Sequence, residues 1–266
     1  MEQKEFIKDY DFKFKKKFGQ NFLTDENILN NIVDSALIDE DTLVIEIGCG
    51  AGALTKKILN KTDKFIGYEI DTSLKPILDT LNTNIIFDDF LKRNIKDDIA
   101  KYDYKKLYVV ANLPYYITTP IITKIIEEDI NVDKIVIMVQ KEVGDRLSAK
   151  VGTKDYNSLT IFINYYYNVK KLFVVSKNVF IPKPNVDSIV IALEKKDNRL
   201  DVKDEKVFFK LIRDSFVQKR KTLRNNLKDY NFDKIKEILI KNNYTEDVRA
   251  EKLPIEIFAE IANNME

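Results

Sequence analysis

Residues 42–59, TLVIEIGCGAGALTKKIL, decide the fold. A short apolar run, Leu43 to Ile47, meets glycines at 48, 50 and 52 and then gives way to apolar residues at helical spacing. Strand, glycine turn and helix in that order bring a nucleotide-like ligand close to backbone amides, because glycine accepts positive φ and carries no Cβ. Gly48, Gly50 and Ala53 also fit the fingerprint G-x-G-x-x-A, and Glu69 ends the next apolar run about 20 residues on, where a ribose hydroxyl would be held. The loop and Glu69 point to an adenosine-type cofactor and leave NAD and S-adenosylmethionine both open. Residues 85–91, IIFDDFL, bring Asp88 and Asp89 to the same edge, where a carboxylate could accept from an adenine amino group.

Working outward, further apolar runs of strand length lie at 65–68, 84–87, 107–111 and 134–139, with amphipathic helical segments between them. Such alternation implies a parallel sheet. Residues 158–175, SLTIFINYYYNVKKLFVV, and then SIVIALEKK read as two further strands without a helix-length spacer, and so as an antiparallel pair at one edge, for roughly seven strands in all. Beyond residue 196 the pattern turns helical in VFFKLIRDSFVQKRKTLRNNL, DKIKEILIKNN and LPIEIFAEIANNM. The expected architecture is an α/β domain over 1–195 and a small α-helical domain over 196–266.

The chain has 266 residues, of which 44% are hydrophobic and 33% charged, enough apolar side chain to build a core and enough charge to stay in water. No run of about 18 uncharged apolar residues occurs, and the start, MEQKEFIKDYDFKFKKKFGQ, lacks the apolar core of a signal peptide. The expectation is a cytoplasmic protein with no membrane partner. One cysteine, Cys49, rules out an internal disulfide, and a chain with no histidine cannot assemble the usual zinc and iron ligand sets, so no metal is expected. The commonest general base is also missing. A net charge of +1 conceals two basic blocks, KFKKKFGQ at 13–20 and RDSFVQKRKTLRNNLK at 213–228.

Residues 109–116, VVANLPYY, follow the fourth apolar run with a side-chain amide, a proline and two tyrosines at the ligand-binding edge. The amino group of an aromatic base is a poor nucleophile because its lone pair is delocalised into the ring. If Asn112 Oδ1 and the carbonyl of Leu113 or Pro114 accept its two N–H bonds, the nitrogen is drawn toward a tetrahedral shape and the lone pair is freed. Pro114 stiffens the turn and Tyr115 offers a face on which a base can stack. This is catalysis by positioning, and it needs no histidine.

NLPY resembles the (D/N/S)-P-P-(Y/F) element of amino-group methyltransferases. With KKKFGQNFLTDENIL, VIEIGCGAGALT, MVQKEVGDRLSAKVGTKDYNSLTIFINYY, VFIPKPNVDSIVIAL, SFVQKRKTLRNNL and RAEKLPIEIFAEIAN, the chain resembles nearly end to end the small-subunit ribosomal RNA adenine dimethyltransferases, the KsgA or dimethyladenosine transferase family. That resemblance implies a Rossmann-like class I methyltransferase domain with a seven-stranded, mostly parallel sheet. The cofactor it implies is S-adenosyl-L-methionine, converted to S-adenosyl-L-homocysteine. The implied reaction dimethylates N6 of two adjacent adenines near the 3′ end of 16S rRNA, within the small ribosomal subunit or its precursor, during ribosome biogenesis. A monomer is expected.

The resemblance puts Asn21 and Leu23 on the cofactor with Gln20 nearby, Gly48 beneath it, Glu69 on the ribose, Asp89 in preference to Asp88 on the adenine, and Asn112 on both the methionine end and the substrate. Tyr115 and Phe180 would sandwich the target adenine, beside Leu113 and Pro114. RNA phosphates would meet Lys15, Lys16, Lys17, Lys219, Arg220, Lys221 and Arg224, and stacking of an extruded base implies a single-stranded or looped target. The family usually carries proline where Cys49, Lys183 and, often, Val151 stand, which bears on loop rigidity. Without a partnering histidine Cys49 is a small loop residue rather than a nucleophile. Three alternatives accompany this expectation: a resistance-type 23S rRNA methyltransferase, a non-catalytic assembly or RNA-binding factor on the same fold, and an NAD dehydrogenase. The last leaves NLPY and FIPKPNV without a role.

Overall fold

The computed structural model describes residues 21–265. Lys15, Lys16, Lys17 and Gln20 lie outside the described residues. In chain order the strands are β1 (Phe22–Leu23), β2 (Thr42–Ile47), β3 (Phe65–Tyr68), β4 (Ile85–Ile86), β5 (Lys106–Asn112), β6 (Lys134–Gln140), β7 (Tyr167–Val175), β8 (Phe180–Ile181) and β9 (Ser188–Lys195). The first helices are α1 (Glu26–Ala36), α2 (Ala53–Leu59), α3 (Lys75–Leu78), α4 (Ile95–Ile99), α5 (Thr118–Glu127) and α6 (Lys141–Leu147). They alternate with the strands, and β4, β3, β2, β5 and β6 pair in parallel in that order. β9 adds antiparallel to β6, and β7 completes seven strands in the order β4-β3-β2-β5-β6-β9-β7. A separate two-stranded ribbon joins β1 to β8.

Local chemistry explains these elements. Asp25 opens α1 by accepting from the backbone N–H groups of Asn27 and Ile28 at 2.9 and 3.2 Å, donors that a helix start leaves unpaired. Leu29, Ile32, Val33 and Ala36 then fall on one face and are buried, while Leu37 ends the helix in the left-handed conformation. All six residues of β2 are buried, as a parallel strand covered on both faces requires. Its Val44 shares a core with Ile32, Ile58, Val110 and Val136. Burying each such aliphatic side chain contributes roughly 1.5–3 kcal/mol.

The chain divides into two compact units, 21–144 with 170–195 and 145–169 with 196–265. This differs from an uninterrupted domain over 1–195, and the reason lies in residues 158–166. These do not form a strand. They are helix α7 (Ser158–Tyr166), opened by a reciprocal cap in which Asn157 Oδ1 accepts from the N–H groups of Leu159 and Thr160 while Asn157 N–H donates to Thr160 Oγ1. A short, largely apolar segment has no clear period to separate buried helix from buried strand. The tertiary partners decide: Tyr165 and Tyr166 donate from their hydroxyls to Glu205 at 3.0 and 2.9 Å, and Tyr165 packs on Phe208. The rest of this unit is α8 (Glu205–Ser215), α9 (Leu223–Asn226), α10 (Phe232–Lys241) and α11 (Ile255–Asn263), around Phe208, Leu211, Leu239 and Phe258.

The long helix expected over 207–227 is also interrupted. α8 stops at Ser215 and a loop runs to Thr222, which caps α9. Asn226 holds this loop shut, donating to the Ser215 carbonyl at 2.7 Å and accepting from Gln218 N–H at 3.1 Å. Among the described residues no helix is long and apolar enough to cross a membrane.

Candidate active site

The strand order reverses between β2 and β5, and in open parallel sheets ligands bind at the carboxyl ends flanking such a switch point. Four loops leave the sheet there, carrying Gly48–Gly52, Glu69, Asp88 with Asp89, and Asn112 through Tyr115. One cavity in the first unit is lined by Asn21, Leu23, Gly48, Glu69, Asp89, Asn112, Leu113, Pro114 and Tyr115, so nine of the expected residues converge.

The glycine loop is shaped by its neighbours. Gly48 sits at φ +78°, a conformation that L side chains rarely adopt, and its N–H donates to the Tyr68 carbonyl at 2.7 Å. At Gly50 a Cβ would come within 2.9 Å of the Phe22 ring, so that glycine lets β1 close over the loop. Gly50 N–H donates to Glu69 Oε2 at 2.8 Å and Asp71 N–H to Glu69 Oε1 at 2.8 Å. Glu69 is thereby fixed, 5% exposed, with one lone-pair direction on each oxygen left for a ligand hydroxyl. Burial pushes its carboxyl above the usual range even though the Asp71 and Gly50 amides oppose this. Asp89 accepts from Leu91 N–H at 3.0 Å, which sets the loop after β4.

On the opposite side Asn112 Nδ2 donates to the Asn21 carbonyl at 3.3 Å, which turns Oδ1 to the acceptor role. Leu113 N–H donates to the Met138 carbonyl at 3.2 Å, continuing the β5–β6 ladder one residue further. The Pro114 carbonyl accepts from Ile117 N–H at 3.2 Å and so closes the turn. Tyr115 Oη shares a 2.8 Å hydrogen bond with the fully buried Ser188 of β9, which fixes the plane of the ring.

Phe180 departs from expectation. It does not line the cavity; it is 4% exposed in β8, opposite Leu23, within the hydrophobic core. The β1–β8 pairing sets it beside Leu23, which does line the cavity. Cys49 is buried with its thiol pushed well above the usual range by burial and by Glu46 and Glu69, which fits a packing residue. Of the basic block, Lys219, Arg220 and Lys221 are exposed on a loop instead of a helix. Lys219 Nζ donates to the Lys154 carbonyl, and Arg224 pairs with Glu246 at 3.1 Å.

Sequence reasoning passed over Glu46, Ser188, Asp71 and Tyr116. Glu46 lines the cavity at 1% exposure, and burial raises its carboxyl to about 8 against the pull of the Thr55 hydroxyl, which donates to it at 2.6 Å. An acid inside an otherwise apolar strand was the available signal. Ser188 and Asp71 had none, because each acts through a partner distant in sequence or through a backbone amide.

Comparison with known proteins agrees with this geometry. Residues 11–266 match the model of the family described as ribosomal RNA adenine dimethylase. The Ribosomal RNA small subunit methyltransferase A of Macrococcus caseolyticus is 44% identical over 98% of this chain and 93% of its own. That of Staphylococcus aureus is 49% identical over 83% of this chain and 77% of its own. The crystal structure of a dimethyladenosine transferase from Plasmodium falciparum superposes with a TM-score of 0.72 at 26% identity, covering 90% of this chain and 95% of that one. The 23S rRNA methyltransferase ErmE shares the fold, with a TM-score of 0.73 at 20% identity over 92% of this chain and 99% of that one. A seven-stranded sheet with its adenosine-type cavity, an NLPY turn beside it and a match over almost the whole length lead to one conclusion: the chain belongs to the ribosomal RNA adenine dimethylase family.

Proposed function

We propose that this enzyme transfers methyl groups from S-adenosylmethionine to N6 of two adjacent adenines near the 3′ end of 16S rRNA, in the small subunit or its precursor. The observation that carries the reading is the convergence of Asn112, Leu113 and Tyr115 with Glu69 and Asp89 on one cavity. The polar lining suits an adenosyl group: a fixed carboxylate to accept from vicinal hydroxyls, a second carboxylate to accept from an exocyclic amine, and a glycine turn that admits close approach. Glu69 would hold the ribose, Asp89 the adenine amine, and Asn21, Leu23 and Gly48 the remainder. When bound, S-adenosylmethionine supplies an electrophilic methyl group and leaves as S-adenosylhomocysteine.

The residues of the chain act on the target base. Asn112 Oδ1 and the Leu113 carbonyl accept the two N–H bonds of the adenine amine and draw its lone pair out of the ring. Tyr115, oriented by Ser188, supplies the stacking face, while Phe180 backs Leu23 from within the core. The proton released from the amine passes to water, since no histidine is present to take it. Lys219, Arg220 and Lys221 supply phosphate contacts. Target choice is supported by relatives at 44–49% identity that are named for the small subunit, whereas ErmE, named for 23S rRNA, is similar only in fold. Incubation with labelled S-adenosylmethionine and unmethylated 30S or 50S particles tests this directly. Label recovered as N6,N6-dimethyladenosine from 30S alone is expected; label from 50S alone would reassign the target.

A further inference from the structure

The loop after β4 carries Asp88 and Asp89 into the cavity, and two residues that brace it, Arg93 and Asp98, lie outside the lining. Arg93 donates from Nε to Asp98 Oδ2 at 3.1 Å and from Nη2 to Asp98 Oδ1 at 2.6 Å, a two-pronged pair. Its third nitrogen, Nη1, lies 3.7 Å from Asp88 Oδ2, and Asp88 Oδ1 accepts from Asp89 N–H at 2.7 Å. Asp98 is 2% exposed and also accepts from the hydroxyl of Tyr68 at 3.0 Å. Tyr68 lines the cavity and stands edge-on to Phe90, the residue after Asp89, with ring centroids 5.2 Å apart. Lys101 Nζ, 3.7 Å from Asp98, is the remaining cation at this carboxylate. Although burial works against ionisation, the bonds from Arg93 and Tyr68 hold Asp98 below the usual carboxylate range. Asp98 is therefore a fixed negative anchor, and the planar fork of Arg93 carries its position to the Asp88–Asp89 turn.

We infer that Arg93 is a positioning residue: anchored on Asp98, it sets the Asp88–Asp89 turn so that the Asp89 carboxylate selects a cofactor carrying an exocyclic amine at the adenine C6 position. The inference rests on the reading of Asp89 as the adenine acceptor. Lysine cannot replace Arg93, because a single ammonium cannot grip both oxygens of Asp98 and reach Asp88 as well.

The test compares binding of S-adenosylhomocysteine with that of S-inosylhomocysteine, which has a carbonyl in place of the amine, by calorimetry on the full chain. Wild type should prefer the amine form, and Asp89→Ala should abolish the preference. Arg93→Lys should reduce the preference by about 10-fold, the worth of a hydrogen bond to a charged group. General destabilisation weakens both ligands and leaves their ratio unchanged. If Arg93→Lys does not fold, Asp88→Asn, which removes the charge that Arg93 Nη1 faces at the edge of the cavity, should lower the ratio in the same direction. A wild-type preference that depends on Asp89 but survives both Arg93→Lys and Asp88→Asn overturns the relay. No preference in wild type, or one indifferent to Asp89→Ala, overturns the assignment of Asp89 instead.

Discussion

The carboxyl edge of the parallel sheet and the basic loop at 216–222 hold their polar residues in opposite ways. At the sheet edge Glu69 is 5% exposed and receives two backbone amides, and Asn112 is tied to the Asn21 carbonyl. In the loop Lys219, Arg220 and Lys221 are exposed side chains on backbone that Asn226 closes from behind. Fixed groups in a partly dry cavity act individually, since each is already aimed before the ligand arrives and nothing nearby can replace it. Exposed cations act through their sum, because neighbours and counterions share the same work. One lost residue should therefore matter far more at the edge than in the loop.

The sharpest test of that contrast is Asn112→Ala. Methyl transfer in single turnover should fall by about 10²-fold or more, with a much smaller change in cofactor affinity. An equal loss in both would move Asn112 to a purely cofactor-binding role. Next in size, Glu69→Ala should raise the dissociation constant for S-adenosylhomocysteine by roughly 10–100-fold in calorimetry, as expected for lost charge-assisted bonds. In the loop, replacing Lys219, Arg220 and Lys221 together by alanine should weaken RNA binding at moderate salt and lower the slope of log K against log salt by about 2, with cofactor affinity unchanged. If one of the three single variants reproduced the whole effect, the loop would be a specific contact and the contrast would fail.

The last effect concerns stability and leaves ligand binding aside. Glu46 has a carboxyl near 8 in the folded protein against an ordinary 4.5, so between those values the folded state keeps a proton that the unfolded state has lost. Stability should decline as pH rises from about 4.5 to about 8, by on the order of 1 kcal/mol per pH unit, and level off above. Glu46→Gln should remove that slope in urea unfolding across pH 5–8.5, and an unchanged slope would mean that Glu46 is ionised when folded.

How far the sequence could be read follows the same division. Residues 42–59 announce strand, turn and helix because the glycines act through local backbone sterics, and Glu69, Asp89 and Asn112 are legible because each lies at or just past the carboxyl end of a parallel strand. Residues 158–166 misled because a short, largely apolar segment fits a buried strand as well as a buried helix, and only the Asn157 cap and the Tyr165–Phe208 packing choose between them. Phe180 misled for a related reason. Its motif places it beside the site, but the pairing of β8 with β1 directs its ring into the core.

By itself the sequence determined the alternation of strands and helices, the glycine loop, the acids and the amide at the strand ends, and chemistry without histidine. These depend on short-range sterics and on residue type, both written locally along the chain. Only the tertiary structure decided that Ser188 orients Tyr115, that Asn21 turns the Asn112 amide, that burial lifts Glu46, and that Arg93 links Asp98 to the Asp88–Asp89 turn. Apart from that last short link, each joins groups far apart in sequence or depends on the water that packing has excluded, and neither separation in space nor dielectric surroundings can be read from neighbouring letters.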